Sequence, residues 1–193
     1  EARAFAERLS GRLGSLSGDA LAQALVEYER IEEVLGRVMS YAQLLFASDA
    51  QEPAHGRFQQ TMSERVTGIS SHLVFFTLEL NRVPEAVLEA KLAASPALAA
   101  WRPWLRDLRV WLPHQLPDEM EKLLHEKEVT GRAAWNRLFD ETMANMQVTV
   151  DGEALSVSAA LNRLSDADRA VRQAAAQGVS AAFGERVRLF ALI

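Results

Sequence analysis

The sequence predicts an all-α protein, a helical bundle of antiparallel long helices with one small β-hairpin near 147–157. Three observations predict it. Leu21, Ala24, Tyr28, Ile31, Leu35, Val38, Ala42 and Leu45 form one long apolar seam whose steps alternate three and four, the spacing that keeps a stripe facing a partner helix. A second seam runs through Phe58, Met62, Val66, Ile69, Leu73, Phe76 and Leu80. Strand character shows in one place: Val148, Thr149 and Val150 precede Asp151-Gly152, a dipeptide that favours the primed turns of two-residue hairpins, and Glu153 to Val157 pair back.

In chain order, Ala2, Phe5, Ala6 and Leu9 keep a helical rhythm up to the break at Gly11, Gly14 and Gly18. Asp19 is positioned to cap the first long helix, whose opposite face carries Glu27, Arg30, Glu33 and Arg37. The polar stretch from Ser48 to Pro53 joins it to the second seam, which makes an antiparallel helical hairpin. Pro84 opens a short helix ending near Ala94, Ser95-Pro96 is a cap followed by a first-turn proline, and Pro103 restarts the chain. Another helix begins near Pro117 and Asp118, and Thr130-Gly131 breaks the chain before a helix from Arg132 to Met146. Ser156 caps a short helix through Leu164. Ser165-Asp166-Ala167-Asp168 reads as a capping box with a shorter acid, opening a last helix that reaches Phe190, Leu192 and Ile193 without a stop signal. Two regions are expected, 1–112 with the long hairpin and short helices, and 113–193 with the β-hairpin. Both ends read as cut within helices, so the expectation is a fragment whose partner lies C-terminal.

The 193 residues, 49% hydrophobic and 24% charged, suffice for a real core. With 21 basic against 26 acidic residues and a formal charge of -5, the balance has the wrong sign for neutralising phosphates, so no nucleic-acid partner is expected. The absence of cysteine removes disulfides, Cys-ligated metals and thiol nucleophiles, and fits a cytoplasmic location. No run of about 18 apolar residues and no signal-peptide core is visible, so no membrane contact is expected.

The chemistry-bearing residues form no catalytic or metal set. His125-Glu126-Lys127-Glu128-Val129 offers the first imidazole and the glutamate of a zinc-peptidase helix, but a valine stands where the second imidazole is needed. His55, His72 and His114 lack an acidic or histidine partner at helical spacing. Ser70-Ser71-His72 places serine and histidine on different helix faces, with no orienting acid following. Glu119, Glu121, Glu126 and Glu128, interleaved with Lys122 and Lys127, lack calcium-loop spacing and read as a salt-laced exposed face. Trp101, Trp104 and Trp111, like Phe75-Phe76, sit at spacings that favour core over a peptide groove. No catalytic residue, no metal ligand and no cofactor is therefore expected, and the binding residues are unknown from sequence.

Leu112-Pro113-His114-Gln115-Leu116-Pro117-Asp118-Glu119, then Glu121-Lys122-Leu123-Leu124, then Thr130-Gly131-Arg132-Ala133-Ala134-Trp135-Asn136-Arg137-Leu138-Phe139-Asp140-Glu141 resembles the N-terminal region of the oligoendopeptidase F family. Ala159 to Leu164 and Asp168 to Ala175 resemble its following helices, and the layout from Tyr28 to Leu80, with Tyr41-Ala42, is similar. The resemblance implies a parent zinc endopeptidase that hydrolyses short peptides inside a deep channel of helices. Its His-Glu-x-x-His helix and third ligand lie downstream of the matched region, which makes the missing C-terminal catalytic domain the expected partner and zinc a cofactor of the parent only. On this reading residues 113–193 are the family's N-terminal-type region, truncated before the catalytic domain. The competing reading is a helical module that binds a protein or peptide and has no enzymatic parent.

Overall fold

The computed structural model describes residues 1–193 and is mainly helical. The first helices are α1 (Ala2–Leu9), α2 (Gly18–Ser48), α3 (Pro53–Ser70), α4 (Val74–Arg82), α5 (Glu85–Ala94), α6 (Pro96–Ala99), α7 (Arg102–Arg109) and α8 (Asp118–Lys127). There follow α9 (Arg132–Asn145), strands β1 (Gln147–Val150) and β2 (Glu153–Ser156), then α10 (Val157–Arg163), α11 (Arg169–Gly184) and α12 (Val187–Phe190). No helix is long and apolar enough to cross a membrane.

The chain divides into two compact units, Glu1–Leu44 with Phe58–Val129, and Leu45–Arg57 with Thr130–Ile193. The expected boundary between 112 and 113 falls inside the first unit. The reason is polar tethering of the segment after Leu112: Arg82 pairs with Asp118, Asn81 Nδ2 donates to Gln115 Oε1 at 3.1 Å, and Gln115 Nε2 donates to the Leu78 carbonyl at 3.2 Å.

In the first unit the α2 seam is buried as its periodicity requires at Leu21, Ala24, Ile31, Leu35 and Ala42, whereas Val38 lies at the exposed edge. The cap differs from expectation. Ser17 Oγ accepts from the Ala20 amide at 3.2 Å, and Asp19 instead accepts a 2.5 Å bond from the Ser95 hydroxyl. The second seam is not one helix. α3 ends at Ser70 and α4 starts at Val74, and the hydroxyls of Ser70 and Ser71 bend back to donate to the Thr67 and Gly68 carbonyls. Such back-bonding competes with the helical ladder and loosens it at this place. Only the later half of the seam is core: Leu73, Phe76 and Leu80 are buried, while α3 buries no residue.

Ser95 holds the turn between α5 and α6, being buried and accepting from the Leu98 amide at 3.2 Å while donating to Asp19. Replacing Ser95 by alanine should therefore cost about 1–2 kcal/mol, the loss typical of a helix cap. Urea denaturation of Ser95→Ala and of the wild-type chain measures this, and equal midpoints would show that the cap contributes nothing.

The second unit is built on the expected β-hairpin. Gln147 faces Ser156 and Val150 faces Glu153, with Asp151 (φ 49°) and Gly152 (φ 84°) in the two left-handed positions that a two-residue primed turn demands. Val148 and Val150 turn inward and are buried, while Gln147 and Thr149 turn outward, the alternation of a half-covered strand. Ser156 caps α10 as expected, accepting from the Ala159 amide at 3.2 Å. For α11 the cap is Asp168, accepting from the Ala170 amide at 2.8 Å, and not Ser165; Asp166 instead braces the Asp168 amide at 2.9 Å. The last helix is interrupted after Gly184, where Glu185 and Arg186 form a turn before α12.

Candidate functional site

The first unit contains a concavity of about 430 Å³, lined from four helical segments by polar groups set in an apolar wall. α2 supplies Tyr28, Glu32, Leu35 and Met39; α3 supplies Val66 and Ser70; Leu73 and α4 supply the floor; and α8 supplies Glu121 and His125. Tyr28 is held by ring stacking on Phe76, with centroids 4.6 Å apart and planes at 21°. Glu32 follows one turn later on the same face. It forms no hydrogen bond or salt bridge, although α2 is rich in paired charges on its outer face.

Electrostatics mark both residues. Burial, with the Glu32 carboxylate as a second contribution, pushes the Tyr28 hydroxyl well above the usual phenol range. Burial likewise raises the Glu32 carboxyl, and the imidazole of His125 partly offsets it. A half-buried carboxylate without a hydrogen-bond donor can accept from a cationic or donor partner.

Ser70 Oγ and His125 Nε2 are 2.8 Å apart, a pairing across 55 positions of sequence that local spacing cannot reveal. The geometry differs from that of an activated nucleophile. The serine hydroxyl also lies 3.3 Å from the Thr67 carbonyl, and while its proton is directed there, His125 Nε2–H is the donor, the reverse of a base drawing a proton from serine. No carboxylate is hydrogen-bonded to His125 Nδ1, so an orienting acid is also missing. The pair fixes the imidazole in the wall of the concavity. Glu121 is held in the same wall by the Leu116 amide, which donates to Oε1 at 2.8 Å.

The other residues considered from sequence are scattered. His55 Nδ1 lies 3.2 Å from the Asp49 carbonyl, His72 is exposed, and His114 is exposed beside Trp111 at 6.4 Å between ring centres. Trp101 and Trp104 pack against the core as expected, but Trp111 is 68% exposed because α7 ends at Arg109 and the chain turns away through Leu112–His114. Phe75 and Phe76 belong to the core. On α8, Lys122 and Glu126 stand 3.9 Å apart on an exposed face, while Glu121 lines the concavity.

Residues 79–147 match the family model described as Oligopeptidase F. The match covers α8 and α9, where the motif resemblance is densest, and reaches upstream into α4; the similarities at 159–175 lie beyond it. The crystal structure of oligoendopeptidase-F from Enterococcus faecium has the same fold over 96% of this chain, with a TM-score of 0.83 and 19% sequence identity. The chain spans 38% of the length of that protein. A search of curated proteins finds no match.

The zinc associated with the resemblance does not fit the residues of this segment. Val129 is buried where a second imidazole would be needed, His125 is engaged by Ser70, and no three His, Cys, Asp or Glu side chains converge to hold a metal ion, Glu32, Glu121 and His125 included.

Proposed function

We propose that this chain is the non-catalytic N-terminal part of a zinc-dependent oligoendopeptidase that hydrolyses short peptides, and that it shapes the substrate channel and packs on a C-terminal catalytic domain. The match of residues 79–147 to the oligopeptidase F model carries the reading. The shared fold with the Enterococcus faecium protein supports it for the scaffold. Helical walls suit such a part, because a rigid channel limits reactants by shape while the chemistry resides elsewhere. Zinc and its His-Glu-x-x-His helix belong, in this proposal, to the catalytic domain. There the metal would supply an activated water, and the residues of this chain would bound the space that the peptide enters.

Two exposed apolar stretches are the candidate surfaces for that domain, Val110 to Leu112 around Trp111 and the end at Leu192 and Ile193. The cysteine-free composition suits a reducing cytoplasm. The test is to express the 193-residue chain and the full-length gene product side by side. After dialysis, the full-length protein should keep one zinc per chain and cleave short quenched peptides but not folded proteins, and the shorter chain should do neither. A full-length product without zinc and without peptide cleavage would sink the proposal.

A further inference from the structure

We propose that the concavity between α2, α3, α4 and α8 is a subsite for an ammonium group carried on an apolar body, the N-terminal residue of a peptide being the chemistry that suits it. Glu32 and Glu121 line the concavity with Tyr28, Ser70 and His125, and neither lysine nor arginine lines it, so the imidazole of His125 is its one basic group. Glu32 makes no hydrogen bond or salt bridge and is half-buried, and only the imidazole of His125 partly offsets the cost of its charge. The Tyr28 hydroxyl, one turn away, also makes no hydrogen bond, and its lone pairs can accept from a second ammonium hydrogen. An –NH3⁺ group offers three donors, enough for the Glu32 carboxylate and the Tyr28 oxygen one turn away on α2.

The apolar wall is as informative as the polar groups. Leu35, Met39, Val66 and Leu73 line the same concavity, and a volume of about 430 Å³ takes a residue-sized body while being small for a folded partner. A bare divalent cation is disfavoured, since the acidic groups do not converge to a metal-binding geometry. An anion meets two carboxylates with only the imidazole of His125 to set against them. An alkylammonium satisfies both halves of the wall.

The assignment of the carrier as a peptide rests on the peptidase reading; the ammonium chemistry does not. Three probes separate these. Leucinamide presents a free α-ammonium with an apolar side chain, N-acetyl-leucinamide keeps the side chain and removes the cation, and N-acetyl-lysinamide moves the cation to a side chain. Titrated into the 193-residue chain and followed by NMR or calorimetry, leucinamide should saturate, and acetylation should weaken binding at least tenfold. Glu32→Gln should also weaken leucinamide binding about tenfold. Tyr28→Phe, which keeps the ring stacked on Phe76, should weaken it a few-fold and serves as the reading if Glu32→Gln fails to fold.

Binding of N-acetyl-lysinamide in place of leucinamide would uphold the ammonium site and assign it to a basic side chain. Equal binding of leucinamide and its acetylated form, unchanged binding by both variants, or no saturation by any probe would overturn the proposal. The zinc and cleavage measurements on the full-length protein stand apart from these titrations, so either idea can fail without the other.

Discussion

Replacing Phe76 with alanine should destabilise the first unit by about 3–5 kcal/mol, the cost of emptying a large aromatic site that cannot collapse. Phe76 is fully buried, with Phe5 at 5.3 Å, Tyr28 at 4.6 Å and Phe75 at 6.1 Å between ring centres. Three aromatic neighbours fix one another around it, and rigid rings fill a void poorly. The same cut removes the surface on which Tyr28 stacks, so binding at the concavity should weaken along with stability. Guanidinium denaturation measures the first effect, and leucinamide titration at low denaturant the second. A stability loss under about 1 kcal/mol would mean that the core relaxes into the space.

Phe76 also shows what the sequence made legible. Its place on an apolar seam with Leu73 and Leu80 announced a buried helix face, and the face is buried. The same periodicity continued upstream through Phe58, Met62, Val66 and Ile69, yet α3 buries none of its residues. Spacing reports which side of a helix is apolar and not whether anything covers it. The break between α3 and α4 had a local signal in Ser70-Ser71 after Gly68, whose hydroxyls take the carbonyls of the preceding turn.

The concavity was hidden for a different reason. Tyr28 reads as one more seam position, Glu32 falls outside both the seam and the charged face read from sequence, and Ser70 is weighed there against its neighbour His72 when its partner is His125. A site assembled from α2, α3 and α8 leaves no fixed spacing along the chain. The hairpin is the opposite case: Asp151-Gly152 encodes its geometry in two adjacent residues, and the register follows.

The second large effect lies beneath that hairpin, where α11 crosses β1 so closely that a side chain at Gly178 has nowhere to go. A Cβ built there would stand 2.3 Å from the Thr149 carbonyl oxygen and 3.3 Å from Val148 Cγ1. The nearest obstacle is backbone in a paired strand, which cannot swing aside as a flexible side chain does. Gly178→Ala must then either push α11 off the strand or distort the β1–β2 pairing, and both uncover Val148, Val150 and Ala175. Alanine gains about 1 kcal/mol over glycine in a helix interior, and the clash should exceed this, leaving a net loss of about 1–3 kcal/mol, the range for overpacked sites. Gly184→Ala is the control on the same helix, because nothing lies within 4 Å of a Cβ there. It should be neutral or stabilising by up to about 0.5 kcal/mol. Amide exchange at Val148 and Val150 reports the local effect, and thermal unfolding the global one. If Gly178→Ala unfolds at or above the wild-type temperature with its hairpin protection intact, the tight crossing of α11 over β1 is not a constraint on the fold.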